Sequence, residues 1–273
     1  MTFSRLALRT ALAATLALST HAGLAQDAAK SEFKPEVGQA GKDVVWVPTP
    51  QSLVDLMLDT AKVTAKDYVM DLGSGDGRTV ITAAKRGATA VGIEYNPDMV
   101  ALAQKAAKAA GMEGKASFMK ADLFQTDLSK ATVITMFLLN DINMKLRPKI
   151  LDLKPGTRVV SNTFRMGEWE PDQEVTATKD CPNYCTAYYW LVPAKVGGGW
   201  SLEGAKLELK QEFQKLSGTL SAPGKSALVI ANAKMRGAEI VFTAGGVTYT
   251  GRVSGNAMEG TTSAGGKWKA ARG

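Results

Sequence analysis

The stretch Val69-Met-Asp71-Leu-Gly73-Ser74-Gly75-Asp-Gly77-Arg78 decides how this chain is read. The run Tyr68 to Leu72 is short and apolar, as a buried strand would be, and a helix-like stretch from Arg78 to Arg86 follows it. The glycines between them let the backbone turn tightly and approach a ligand without interference from Cβ atoms. A helix starting near Arg78 points its unpaired N–H groups at whatever lies over that loop.

Outward from this unit the same alternation repeats. Ala90 to Glu94, Ala116 to Lys120, Val133 to Leu138 and Thr157 to Asn162 read as strands. Between them lie helical segments, Pro97 to Ala110 with Gly111 as its stop, and Asn143 to Asp152. An earlier helix is expected to start with Thr49 as N-cap and Pro50 at its first turn, with Leu53, Leu56 and Met57 facing inward. The fold class is therefore α/β: a Rossmann-like doubly wound sheet, expected to be parallel and covered on both faces.

Two further carboxylates join Asp71 at strand ends. Glu94 ends the next strand, 23 residues on, where a doubly wound fold places an acid to accept hydrogen bonds from ribose hydroxyls. Asp122 follows the third strand, in position to receive an adenine amino group. Dinucleotide folds seat a pyrophosphate over a G-x-G-x-x-G turn, whereas here the glycines run G-x-G-x-G, with Asp71 two residues ahead of them. That acid would repel pyrophosphate but suits the ammonium of an amino-acid tail. S-adenosylmethionine combines adenosine with such a tail.

The segments Asp71-Leu-Gly-Ser-Gly-Asp-Gly-Arg78, Gly92-Ile-Glu94 and Ala121-Asp122-Leu-Phe resemble the class I S-adenosylmethionine-dependent methyltransferases. Val47-Pro-Thr-Pro50, Asp127-Leu-Ser129, Leu146-Arg-Pro148, Lys154-Pro-Gly-Thr-Arg-Val-Val160 and Met166-Gly-Glu-Trp169 are similar to the small protein-lysine methyltransferases that modify the ATP synthase c-ring protein and adenine nucleotide translocase. The resemblance covers roughly residues 44 to 196. It implies that Asp71 and the loop Gly73, Ser74, Gly75 and Gly77 hold the methionine part of the cofactor. It also implies that Glu94 binds ribose with Tyr95 and Asn96 beside it, that Asp122 and Leu123 hold adenine, and that Thr49 closes over the cofactor. Asn140, after the fourth strand, is the candidate for orienting the acceptor amine, with a helix-cap role as its alternative. Phe164 and Trp169 are candidates for the pocket wall or for core packing.

The composition narrows the chemistry. The chain has 273 residues, 33 Lys plus Arg against 26 Asp plus Glu, two Cys and one His, and 45% of its residues are apolar, ample for a sizeable core. Its lack of an uninterrupted apolar run of membrane-spanning length excludes a multi-pass membrane protein. Residues 1 to 25 read as a cleaved signal peptide, with Arg5 and Arg9 ahead of an Ala/Leu-rich stretch and small residues before Gln26. The expected location is periplasmic or secreted, with organelle targeting as the alternative. Cleavage would remove His21, leaving no imidazole, and no carboxylate spacing suggests a metal site. Cys181 and Cys185, flanking Pro-Asn-Tyr, are expected to form a local disulfide in an oxidising compartment.

The chain is expected to divide into a linker over 26 to 43, the cofactor domain over 44 to 198, and a small antiparallel β module or partial barrel over 199 to 273. Residues 26 to 198 carry 21 basic and 21 acidic side chains, and 199 to 273 carry 10 and 5. The basic surplus therefore belongs to the β module, where no aromatic residues interleave the lysines as a nucleic-acid surface would require. The function expected is S-adenosylmethionine-dependent methylation of a protein lysine. The alternatives are methylation of a small-molecule acceptor and non-catalytic nucleoside binding by an exported protein.

Overall fold

Period-two alternation in Tyr68–Leu72 (β1) sends Val69 to one face of a sheet and Met70 and Leu72 to the other, so the strand sits between two cores. The computed structural model describes Met1, Thr2 and residues 33–273. All but the first two residues of the expected signal peptide, including His21, and the linker up to residue 32 lie outside the described residues. Parallel to β1 run Thr89–Glu94 (β2), Ala116–Lys120 (β3), Val133–Met136 (β4) and Arg158–Asn162 (β5).

The sheet has seven strands in the order β3-β2-β1-β4-β5-β7-β6, where β6 is Gln173–Thr176 and β7 is Thr186–Leu191. Strand β7 runs antiparallel to both β5 and β6, which corrects the expectation of an all-parallel sheet. Because β6 and β7 are consecutive and pair as a hairpin, no crossover helix is needed between them. Strand order reverses between β1 and β4, and a crevice opens there at the strands' carboxyl ends.

Helices Gln51–Thr60 (α1), Arg78–Lys85 (α2) and Pro97–Ala109 (α3) bury Leu53, Met57, Val80, Ala84 and Ala103 in the first core. Asn140–Leu151 (α4) buries Ile142, Leu146 and Ile150 in the second. The N-cap of α1 is Pro50, not Thr49, and it makes no side-chain cap bond. Thr49 is buried, and its hydroxyl accepts instead from Asn162 Nδ2 at 3.2 Å, a tertiary partner that sequence spacing does not reveal.

From Gly198 onward the chain is all β. Gly198–Leu202 (β8), Ala205–Glu212 (β9), Lys215–Ser221 (β10), Leu228–Val229 (β11), Ala231–Arg236 (β12), Glu239–Ala244 (β13), Val247–Ser254 (β14), Ala257–Thr262 (β15) and Lys267–Arg272 (β16) form a second sheet. Strand β9 pairs with both β8 and β10, so the sheet closes into a barrel and its long edges are satisfied. Alternate residues such as Leu207, Leu209, Ile240 and Phe242 fill it, together with Trp200 and Trp268. Register places Arg236, Glu239, Arg252, Glu259 and Lys269 side by side on successive strands, an alternating charge row that absorbs part of the basic surplus. The barrel and the seven-stranded domain lie within one compact unit, Phe33–Gly273. They meet at Gly237, which approaches Gly156 ahead of β5 and Leu191 at the end of β7. Among the described residues no helix is long and apolar enough to cross a membrane.

Candidate active site

The loop after β1 is held by the strand beside it. Gly73 and Ser74 donate their N–H groups to the Ile93 carbonyl at 2.9 and 3.1 Å, and Gly77 donates to the Ser74 carbonyl at 2.9 Å. Glu94 binds the same loop through its side chain: one oxygen accepts from Gly75 N at 3.0 Å and the other from Asn96 N at 2.9 Å. Each carboxylate oxygen has a further lone pair for a ligand hydroxyl. Asn96 caps α3 through its own side-chain oxygen, which fixes the turn that Glu94 starts.

Three acids, Asp71, Asp76 and Glu94, line the cleft beside this loop. Asp71 is buried and accepts from the Thr135 hydroxyl at 2.6 Å. Burial pushes its carboxyl up to about 7, and the nearby charges of Asp76 and Glu94 push the same way against the Thr135 bond. Arg78 neutralises Asp76 through its guanidinium, with Nη2 to Oδ2 at 2.6 Å. Among the described residues Asp71 has no such cation, so the cleft carries unmatched negative charge. The Ser74 hydroxyl is buried against Gly92 and has no hydrogen-bond partner among the described residues.

The end of the segment read as a linker, residues 39 to 43, forms a wall of the site together with the start of the cofactor domain. Residues 39 to 49 lie along a cleft of about 1040 Å³, counting the open space at its mouth. Lys42 bridges to Asp122 at 2.7 Å and sits 4.8 Å from the centre of the Tyr95 ring. This bridge and the Phe124 N–H hold the Asp122 carboxyl below the usual range, and the same bridge raises the Lys42 ammonium. Arg78 Nη1 donates to the Thr49 carbonyl at 2.9 Å, tying the strap to the glycine loop. At Gly75, where φ is +53°, an added Cβ would lie 2.6 Å from Trp46 Nε1. Only glycine permits that approach of strap to loop.

The cleft brings together Thr49, Asp71, Gly73, Ser74, Gly75, Glu94, Tyr95, Asn96, Asp122 and Leu123. Of the cofactor and acceptor candidates, Gly77 and Asn140 fall outside it. Gly77 caps α2 with φ at +83° and packs against Phe118 and Ala103, so its lack of a side chain serves helix-to-strand contact. Asn140 opens α4 as an exposed residue, and the preceding Leu139 occupies the cap position. Trp169 is wholly buried against Trp190 and Phe213, away from the cleft. Sequence reasoning missed the strap residues, Lys42 and Trp46 above all, and Phe137 just after β4. The polar, aperiodic texture of residues 26 to 43 carried no signal for the strap around Lys42. Among the described residues no cluster of three His, Cys, Asp or Glu side chains is arranged to hold a metal ion.

Residues 71–173 match the ANTKMT methyltransferase domain family. A protein-lysine N-methyltransferase of Saccharolobus islandicus is 45% identical over 152 residues, 55% of this chain and 94% of that protein. The chain belongs to the protein-lysine N-methyltransferase family. The mouse adenine nucleotide translocase lysine N-methyltransferase is 36% identical over 38% of this chain, and only 46% of that protein's own length is spanned. A solved structure described as an RNA methyltransferase from Salinibacter ruber, in complex with S-adenosylhomocysteine, is 48% identical with a TM-score of 0.52. The match covers 55% of this chain and 96% of that one.

This methyltransferase uses S-adenosylmethionine, and its cleft suits that molecule. The acid Asp71 suits a cationic centre, and the spare lone pairs of Glu94 suit hydroxyls. The glycine turn at Gly73 and Gly75 keeps the backbone free of side chains there. The barrel contributes no residue to the cleft among those described.

Proposed function

We propose that this methyltransferase acts on the Nε of lysine in a protein substrate. The observation that carries the reading is the match to the Saccharolobus protein-lysine N-methyltransferase, which extends over nearly all of that protein's length. When bound, S-adenosylmethionine supplies an electrophilic methyl group on a sulfonium. The acceptor lysine would have to arrive with its amine neutral, and its proton would be lost to water. Side chains need supply little beyond position, because in-line alignment itself lowers the barrier. Asp71, Glu94 and Asp122 fix the cofactor end, and the cleft's apolar floor of Met136, Leu138 and Ile142 favours the uncharged amine.

Transfer of labelled methyl groups to a protein fraction, followed by acid hydrolysis, tests this. Methyl-lysine is the expected product. Label confined to RNA or to small molecules overturns the reading. Against RNA as acceptor, the barrel's Trp200, Phe242 and Trp268 are buried inside it, leaving none of them for base stacking on its basic exterior. Against small-molecule acceptors shaped by the barrel stands its absence from the cleft.

We propose further that the chain works outside the cytoplasm, in an oxidising compartment. Residues 1 to 25 support this, as does the pairing of Cys181 with Cys185, the only two cysteines of the chain. Fractionation with determination of the N-terminal residue checks it: an uncleaved protein recovered in the cytoplasm refutes it.

A further inference from the structure

Three aromatic rings gather beside the cleft, and they come from three separate places in the chain. Phe137 follows β4 and lines the cleft. Phe164 follows β5, with its ring 6.1 Å from that of Phe137 and inclined to it by 26°. Tyr184 comes from the β6–β7 connection and stands 5.3 Å from Phe137, tilted by 59°. Phe137 and Phe164 are half-buried and Tyr184 is 46% exposed, so the cluster reaches solvent.

Unusual backbone places two of them. Thr163, before Phe164, has φ at +61°, and Tyr184 itself has φ at +56°, both in the region that L side chains rarely adopt. A residue there is held only by its surroundings. Thr163 is held by its N–H to the Thr186 carbonyl at 2.8 Å and its hydroxyl to Asn162 Oδ1 at 2.8 Å. Phe164 is held by Asn143, a fully buried residue of α4 whose amide donates to the carbonyls of Phe164 and Arg165 at 3.1 and 3.3 Å. Tyr184 lies inside the five-residue ring closed by Cys181 and Cys185. That ring is anchored to α1 by the Ser52 hydroxyl on the Asp180 carbonyl at 3.2 Å. Positive φ kept at two positions that gather aromatic rings around the cleft-lining Phe137, in a cluster that reaches solvent, points to a ligand for the rings.

We propose that Phe137, Phe164 and Tyr184 form an aromatic wall that receives the methylated ammonium of the acceptor lysine, with the Cys181–Cys185 clip as the mount for Tyr184. The inference rests on the lysine reading above and adds the residues that recognise the acceptor. Each methyl added spreads the cation's charge and weakens its hydration, and aromatic faces attract such cations. Tyr184 is a specificity-determining residue in this arrangement; Asn143 and the disulfide position the wall and do not touch the acceptor.

The test uses the whole protein saturated with S-adenosylhomocysteine and titrated with Nα-acetyl-Nε-trimethyl-lysine amide in a calorimeter. The parent is expected to bind this probe at least about fivefold more tightly than the neutral analogue carrying a tert-butyl group in place of the trimethylammonium. Tyr184→Phe keeps that preference. Tyr184→Leu, apolar but without a π face, loses about five- to tenfold for the cation and little for the neutral analogue. A Cys181→Ser, Cys185→Ser double variant weakens cation binding by a smaller factor, leaving S-adenosylhomocysteine affinity unchanged. Equal binding of the two probes by the parent, or an unaltered preference in Tyr184→Leu, overturns the proposal. The two readings fail separately. Methyl-lysine formed by a protein without the cation preference sinks the aromatic wall alone, whereas a cation preference without methyl-lysine in any protein fraction sinks the lysine reading.

Discussion

Cofactor affinity should track the ionisation of Asp71. Burial holds this carboxyl at about 7, helped by the negative charges of Asp76 and Glu94 and opposed by the Thr135 hydroxyl. A cationic ligand is attracted only by the ionised form, so binding must first remove any proton present. A group of this pKa is about one-tenth ionised at pH 6 and about nine-tenths ionised at pH 8. The dissociation constant for S-adenosylmethionine should therefore rise roughly tenfold from pH 8 to pH 6, a change of about 1.4 kcal/mol. Linkage requires that about half a proton be released per cofactor bound at pH 7. Calorimetry in buffers of different ionisation enthalpy reads that proton directly. Asp71→Asn should bind more weakly at pH 8 and show neither the slope nor the proton. A parent slope equal to that of Asp71→Asn, or affinity that improves on acidification, refutes the reasoning. Stability without cofactor carries the opposite sign. An acid with a raised folded pKa binds more protons folded than unfolded between about 4 and 7, so this group makes folding less favourable as pH rises through that window. The parent should lose more thermal stability than Asp71→Asn over the same window.

Three other substitutions probe separate parts of the structure. Gly75→Ala would set a Cβ 2.6 Å from Trp46 Nε1 at a φ of +53°, so cofactor affinity should fall about tenfold while the melting transition loses only about 1–2 kcal/mol; parental affinity would contradict the close approach of strap and loop. Arg78→Met removes the cation that neutralises Asp76 and frees the strap at Thr49, so the midpoint of the Asp71 pH profile should move upward; a midpoint that stays put or falls would break the electrostatic account. Gly260→Ala would place a Cβ 1.9 Å from the Thr250 carbonyl oxygen on the neighbouring barrel strand, costing about 3 kcal/mol or more by chemical denaturation. Because the barrel does not line the cleft, cofactor affinity of the folded fraction should be unchanged.

The α/β half was legible because its signals are local. Strands β1 and β3 coincide with the apolar runs read for them, and α2 and α3 with their helical stretches to within a residue at the carboxyl end. The polar edge strand β6, by contrast, has an exposed pattern that resembles a loop, and β7 shows its antiparallel direction only through its partner. Barrel closure depends on β9 pairing with strands on both sides, which period-two alternation cannot encode. In the site, strand-end acids were visible because each one lies at or just after the end of a recognisable strand. Gly77 looked like its neighbours in the motif, yet Phe118 and Ala103 claim the space beside it.

By itself the sequence determined the order of the five parallel strands and their helices, the three acids at consecutive strand ends and the glycine turn that leaves room for a ligand. Those follow from hydrophobic period and from the conformational freedom of glycine, both properties of a short stretch of chain. Tertiary structure decided what covers the cleft and what surrounds its mouth. Lys42 reaches Asp122 across 80 residues, and Tyr184 reaches Phe137 from the loop between β6 and β7. Contacts of that kind exist only once the sheet has brought its carboxyl ends together, because the side chains involved carry no periodicity of their own.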